Sequence, residues 1–136
     1  MKPGGQRIKG AAFERKIANI LKHIWPDARR GIQYRDGGKE ASDIIGTPYH
    51  IECSKGGESI WAKWKQAIDD CKIHNHAWKN GVFPIVIKQR DREEPVVMMS
   101  LKEWLYLVCQ QAWIARNGIA LELKYDEQYK KEFGKL

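Results

Sequence analysis

Apolar residues recur at intervals of three and four along three stretches of the chain, which is the spacing of one face of an α-helix. The first stretch runs from Ile8 to Trp25, the second begins at Trp61, and the third begins at Leu101. The third stretch is preceded by Ser100, and Glu103 follows three residues later, which is the spacing of a helix-capping pair. The pattern therefore predicts three helices.

Short apolar or alternating runs lie between these stretches and predict β-strands. Five such runs occur, at Arg29–Tyr34, Ser42–Ile45, Tyr49–Ser54, Val82–Ile87 and Val96–Met99. The fourth is almost wholly apolar, as in a strand that is buried on both faces of a sheet. The order of the elements predicts an α/β fold with a mixed central β-sheet of about five strands, flanked by α-helices. We expect a single domain over residues 1–136, with its core at about 7–116 and a C-terminal extension or tail at 117–136.

Composition excludes several classes of protein. The chain has 136 residues, 43% of them hydrophobic, which is enough to build the core of one domain. No apolar run approaches the roughly 18 residues that a membrane span needs, and the first residues lack the apolar stretch of a secretory signal. Three scattered cysteines do not make a disulfide framework. We therefore expect a reduced, cytoplasmic protein that uses neither a membrane nor an organic cofactor.

Positive charge is concentrated in the first third of the chain. The net charge is +7, and ten basic and four acidic residues within positions 1–40 account for six of these charges. Such a surface is typical of proteins that face a polyanion, although a solvated basic face is the simpler alternative. The residues that we expect to contact nucleic-acid phosphates are Arg7, Lys9, Arg15, Arg29, Arg30, Arg35 and Lys39.

Asp43 and Glu52 are brought together by the predicted pairing of the second and third strands. If these strands fold back symmetrically about Thr47-Pro48, residues equidistant from the turn face each other, and Asp43 lies opposite Glu52. Opposed residues share a sheet face, with Cβ atoms roughly 4.5–5.5 Å apart. Two carboxylates at this distance repel each other unless one is protonated or a cation lies between them. A hard divalent ion such as Mg²⁺, which binds carboxylates together with phosphate and water, removes this repulsion.

Glu14 is the third candidate acid. On the first predicted helix it lies at the border of the apolar stripe, beside Ile17 and Leu21. An acid that faces the core from the flank of a helix needs a partner, and the metal site is one candidate. A salt bridge to one of the many arginines is the other.

These acids, in this order, resemble the motif of the PD-(D/E)XK nuclease superfamily. The pattern consists of Glu14 on the first helix, Asp43, and then Glu52-Cys53-Ser54 on a strand that leads into a helix. The opening, Lys9-Gly10 followed by Phe13-Glu14-Arg15, is similar to that of the archaeal and phage Holliday junction resolvases within this superfamily.

The resemblance implies a restriction-endonuclease-like core and a set of metal ligands. Asp43 and Glu52 are expected to bind the ion with the main-chain carbonyl of Cys53, and Glu14 to support it directly or through water. The implied reaction is the hydrolysis of DNA phosphodiesters with one or two Mg²⁺ ions, or Mn²⁺ in their place, which activate water and stabilise the leaving oxygen. The implied substrate is branched DNA, a four-way junction, whose two matched strands suit a two-fold symmetric homodimer.

One position departs from the superfamily's pattern. The lysine that belongs two residues after the second acid is replaced by Ser54, which cannot supply a positive charge to the transition state. Lys55 is adjacent, but it points to the opposite face of a regular strand. Three alternatives remain open: Lys55 takes the catalytic role, Lys39 takes it, or the chain is a weakened or inactivated nuclease. The alternative functions are accordingly a non-catalytic DNA-binding protein of the same fold, or a repair or restriction nuclease.

The number of tryptophans bears on assembly. The chain has six, and Trp61, Trp64 and Trp78 are predicted to form an aromatic stripe on the second helix. Part of this stripe should pack on the sheet, and the excess suggests an interface with another subunit.

Overall fold

The computed structural model describes residues 3–32, 42–74, 82–117 and 131. The chain falls into two compact units, Met1–Met98 and Met99–Leu136. The loop predicted at 36–39 lies outside the described residues, as does nearly all of the predicted tail. None of the helices in the described ranges is sufficiently long and apolar to span a membrane.

The described residues of the first unit form two helices and a five-stranded mixed sheet. Its elements in chain order are α1 (Pro3–Leu21), β1 (Arg29–Arg30), β2 (Ile44–Ile45), β3 (His50–Lys55), α2 (Ile60–His74), β4 (Pro84–Gln89) and β5 (Val96–Met98). The strands lie in the order β1-β2-β3-β4-β5, with β3 parallel to β4 and every other pair antiparallel. Because parallel neighbours need a long crossover, α2 forms that connection. The predicted α/β fold with a mixed sheet of about five strands is confirmed.

The second unit contains α3 (Leu101–Asn117). The main-chain N–H of Glu103 donates to the Ser100 hydroxyl at 3.2 Å, so the predicted cap is present at the start of this helix.

The centre of the sheet is formed by β3 and β4, which pair over six positions from His50 opposite Pro84 to Lys55 opposite Gln89. Five consecutive residues of each strand are buried, as the apolar run in the sequence predicts for β4. On β3, Lys55 Nζ lies 5.9 Å from the ring centre of Phe13 in α1, whereas Glu52 faces α2. Since neighbouring side chains of a strand point to opposite faces, the two helices cover opposite faces of the sheet.

The two helices of this unit differ from prediction in extent and rotation. Helix α1 begins five residues earlier than its apolar pattern and ends at Leu21, before the predicted end. In α2 the residues turned to the sheet are Ala67 and Cys71, both fully buried, whereas Trp61 is 70% exposed. Trp61 thus belongs to the part of the predicted aromatic stripe that does not pack on the sheet, because small residues allow the helix to approach the sheet closely and the bulky indole is left at the outer side. Trp78 lies outside the described residues.

The turn between β2 and β3 depends on a glycine. Gly46 has φ of 84°, a left-handed conformation that other residues rarely adopt. A side chain here would also collide with the main-chain oxygen of Asp27. The turn is thereby held against the segment between α1 and β1, and the relative position of β2 and β3 is set.

Candidate active site

Asp43 and Glu52 lie side by side because β2 and β3 pair in the register that the sequence predicts. Ile44 lies opposite Ile51, two positions equidistant from the turn. The main-chain N–H of Asp43 donates to the carbonyl of Ile51 at 2.9 Å, and Asp43 Oδ2 accepts a hydrogen bond from the N–H of Cys53 at 2.8 Å. These two bonds lie on either side of Glu52, so the two carboxylates are held next to each other on the sheet.

A lysine from α2 lies against both carboxylates. Lys63 Nζ is 3.8 Å from Asp43 Oδ2 and 3.7 Å from Glu52 Oε2, which confirms that both acids face the same side of the sheet. All three side chains are largely shielded from solvent; that of Glu52 is only 2% exposed. The ammonium group therefore partly neutralises two buried negative charges.

Burial and mutual repulsion set the protonation of this cluster. Burial and the neighbouring charge of Glu52 raise the pKa of Asp43 to about 7, and burial also raises the pKa of Glu52. Burial acts to lower the pKa of Lys63, but the two carboxylates outweigh it and raise the pKa, so the ammonium stays charged. Near neutral pH the pair of acids competes for a proton, which a divalent cation is able to displace.

The two oxygens of Glu52 have different partners. Oε2 faces Lys63, whereas Oε1 lies 2.9 Å from His50 Nε2, which belongs to the same face of β3. Burial lowers the pKa of His50, so the imidazole is neutral at neutral pH, and its Nε2 forms a hydrogen bond with the carboxylate. Asp70 of α2 completes this side: one ligand atom each of His50, Glu52 and Asp70 lie within 4.8 Å of one another.

Sequence reasoning missed Lys63, His50 and Asp70. A signal for each was present: His50 precedes Glu52 by two residues and so shares its face, and Lys63 and Asp70 are seven residues apart on one side of a helix. The aromatic stripe of α2 obscured the second signal, because it suggested a different face of the helix as the buried one.

Glu14 reaches the same region from α1 and is paired with an arginine. Its Oε2 forms an ion pair with Arg30 Nε, which is the salt bridge that the sequence offered as the alternative to a metal role. Burial raises the pKa of Glu14, and the charge of Asp43 also raises it, so the two acids are close enough to interact. Burial and the same carboxylates raise the pKa of the Cys53 thiol, which is neutral and unsuited to act as a nucleophile.

Ser54 shares the face of Glu52 but contacts a second lysine. Lys88, its partner on β4, donates from Nζ to Ser54 Oγ at 3.1 Å and to the carbonyl of Gly56 at 3.0 Å. These bonds tie the end of β3 to β4 beside an open cavity of about 390 Å³, which Lys88 and Arg90 help to line. The ammonium of Lys88 is therefore engaged in holding the strand ends.

Lys55 lies on the other face of the sheet. Its Nζ is 3.3 Å from Gln89 Oε1 and 3.6 Å from Asp91 Oδ1, and it packs over Phe13. Lys39, the other lysine that the sequence offered in place of the motif lysine, lies outside the described residues.

The predicted phosphate-contacting residues fall into three groups. Lys9, Arg15 and Arg29 are exposed on α1 and β1, where a polyanion has access to them. Arg30 is half-buried and paired with Glu14. The side chain of Arg7, together with Arg35 and Lys39, lies outside the part of the chain that the structure describes.

The raised pKa of Asp43 predicts a pH-dependent stability. Between 3.8, its ordinary pKa, and about 7, the folded metal-free chain keeps a proton that the unfolded chain has released. The free energy of unfolding should therefore fall as the pH rises through this range, with a slope of at most about 1.4 kcal/mol per pH unit. Asp43→Asn removes this ionisable group. When unfolding by urea is measured in the presence of a chelator, the variant should therefore gain stability relative to the wild type as the pH rises. A difference that is constant from pH 4 to pH 7 would contradict the raised pKa.

Comparison with known proteins agrees with this geometry. Residues 5–135, nearly the whole chain, match the family model described as "Phage putative PDDEXK endonuclease". No curated protein and no solved structure shows significant similarity to the chain. Since the match covers far more than half of the sequence and includes every acid of the site, the chain belongs to the phage PDDEXK endonuclease family.

Proposed function

We propose that this protein is a Mg²⁺-dependent endonuclease that hydrolyses DNA phosphodiesters at the Asp43–Glu52 pair. The observation that carries the proposal is the placement of Asp43, partly buried just before β2, beside Glu52, which is buried on β3, with both carboxylates within 4 Å of one ammonium group. Burying like charges together costs folding free energy, so an arrangement of this kind points to function. The family membership of the chain supports the same reaction class.

The donor set fits a hard divalent ion. Asp43, Glu52 and the main-chain carbonyl of Cys53 offer only oxygen atoms, which Mg²⁺ prefers, and Mn²⁺ accepts the same ligands. When bound, the ion supplies an activated water and stabilises the leaving oxygen. Glu14 lies close enough to interact with Asp43 and supports the ion through water, while its ion pair with Arg30 holds the carboxylate in place.

Lys63 takes the role of the lysine that Ser54 replaces. Its ammonium stays charged, lies on the face of both acids and comes from a helix whose packing fixes it. A scissile phosphate drawn to this face gains charge in the transition state, and a fixed ammonium nearby stabilises that charge. Lys55 is on the opposite face, so it does not compete for this role.

Removing either acid should abolish cleavage. Asp43→Asn and Glu52→Gln each take one charged ligand from the centre, and we expect the rate of DNA cleavage in Mg²⁺ to fall by about 10²–10³-fold or more. Binding of DNA in Ca²⁺, measured by fluorescence anisotropy, should persist because the basic surface is unchanged. Cleavage at the wild-type rate in either variant would contradict the assignment. A wild-type chain that binds DNA equally with and without a chelator and never cuts it would instead be a DNA-binding protein.

The lysine assignment has a matched control on the same helix. Lys63→Met should lower kcat by about 10²-fold, whereas Lys65→Met, which removes an exposed lysine two residues away, should leave kcat unchanged. Adding Ser54→Lys to Lys63→Met returns an ammonium to the face of Glu52 and should restore part of the rate. If Lys55→Ala abolishes cleavage and Lys63→Met does not, Lys55 holds the role.

We further propose that the substrate is branched DNA and that the enzyme acts as a homodimer in the cytoplasm of the host. The support is the resolvase-like opening of α1, the exposed basic side chains of Lys9, Arg15 and Arg29, and the exposed indole of Trp61 on α2. A four-way junction presents two strands to be cut, and two-fold symmetry supplies one active site for each. Contacts to phosphates would recognise the junction by shape, with little reading of bases.

Junction selectivity is measured by competition between a four-way junction and linear duplex of equal length, in Ca²⁺ to block cutting. We expect the junction to bind more tightly, and affinity for both to fall steeply with salt because phosphate contacts release counterions. Equal affinity would remove the resolvase assignment and leave the nuclease assignment standing. Light scattering at micromolar concentration should give the mass of a dimer; a monomer would exclude paired incision.

A further inference from the structure

Glu52 also belongs to a second group of donor side chains. His50 Nε2 lies 2.9 Å from Glu52 Oε1, and a carboxylate oxygen of Asp70 completes a group whose ligand atoms are all within 4.8 Å of one another. The imidazole is fully buried and the Glu52 side chain is 2% exposed, whereas Asp70 is half-buried. The group thus lies between β3 and α2 and reaches solvent at Asp70, which provides an entry path for an ion.

This group has more negative charge than its described surroundings neutralise. Asp70 Oδ2 accepts a hydrogen bond from the amide of Gln66 at 3.4 Å, and in the described ranges it forms no ion pair with a lysine or arginine. Lys63 lies on the Oε2 side of Glu52, where it is shared with Asp43. Two carboxylates and an imidazole therefore lie close together here, and the single ammonium of Lys63 serves both Glu52 and Asp43.

We propose that His50, Glu52 and Asp70 form a second divalent-metal site, selective for first-row transition ions, with Glu52 bridging it to the Asp43 centre. The inference rests on the proposed function in one respect: Glu52 is shared with the ion that is proposed to bind at the Asp43 centre and to support hydrolysis. One nitrogen and two carboxylate ligands suit Mn²⁺, Co²⁺ or Zn²⁺ better than Mg²⁺, which prefers oxygen alone. A carboxylate that bridges two ions is the arrangement of two-metal centres, in which the ions lie roughly 3.5–4 Å apart.

Helix α2 supplies two of the charged side chains near Glu52. Lys63 and Asp70 are seven residues apart, so they lie on one side of the helix and both approach Glu52 from the same element. An ion held by Asp70 and His50 would tie α2 to β3 and fix the orientation of the Glu52 carboxylate toward Asp43.

The test is metal binding to the full-length chain without a histidine tag and without DNA. Isothermal titration with Mn²⁺ should give two ions per chain, and pulsed electron paramagnetic resonance should show coupling of one ion to an imidazole nitrogen. His50→Gln keeps a hydrogen-bond donor near Glu52 but should abolish the nitrogen coupling. Asp70→Asn should lower the affinity for the nitrogen-coupled ion by tenfold or more. The control is Asp69→Asn at the adjacent exposed position, which should leave the affinity for both ions unchanged.

The outcomes separate this proposal from the proposed function. One ion per chain without nitrogen coupling would overturn the second site and leave His50 as a hydrogen-bond partner of Glu52. A nitrogen coupling that survives His50→Gln would overturn it as well. In Asp43→Asn the nitrogen-coupled ion should persist while cleavage is lost. If cleavage also persists there, the proposed function fails and the second site stands.

Discussion

The repulsion between the buried carboxylate of Glu52 and the partly buried carboxylate of Asp43 is the interaction around which the rest of the site is arranged. Asp43 and Glu52 are adjacent on the central sheet and shielded from water, and their ionised forms are disfavoured both by burial and by each other. Such a pair survives in a folded chain only if other groups compensate it. The ammonium of Lys63, the N–H of Cys53 and the imidazole of His50 each contribute, through two ion pairs and two hydrogen bonds.

The register of β2 and β3 is what makes the pair possible. A shift by one residue would turn one of the two acids to the other face of the sheet and separate them. The register is held by the turn at Gly46, whose conformation and close approach to Asp27 exclude a side chain. It is also held by Ser42, whose hydroxyl accepts a hydrogen bond from the N–H of Ile51 at 2.8 Å. The conformation of the turn thus determines the relative position of the Asp43 and Glu52 carboxylates.

Helix α2 supplies positive charge from a position that a linear motif does not show. The residue expected to be lysine is Ser54, and its hydroxyl accepts a bond from Lys88, which joins the ends of β3 and β4. Because that face of the strand is closed by the helix above it, an ammonium can reach the acids from the helix as well as from the strand. Lys63 does so at distances below 4 Å, and in the proposed function it takes the place of the absent motif lysine.

Local patterns in the sequence determined the α/β fold, the mixed sheet, the cap at Ser100 and the pairing of Asp43 with Glu52. Strand periodicity and the symmetry of a short turn involve only a few consecutive residues, so they can be predicted from the sequence. Only the tertiary structure decided which face of α2 meets the sheet, because that rotation depends on the fit of Ala67 and Cys71 against the strands. The rotation leaves Trp61 outside and brings Lys63 and Asp70 to Glu52. The spacing of Lys63 and Asp70 places both on one side of α2, but only packing between elements distant in sequence decides that this side meets Glu52.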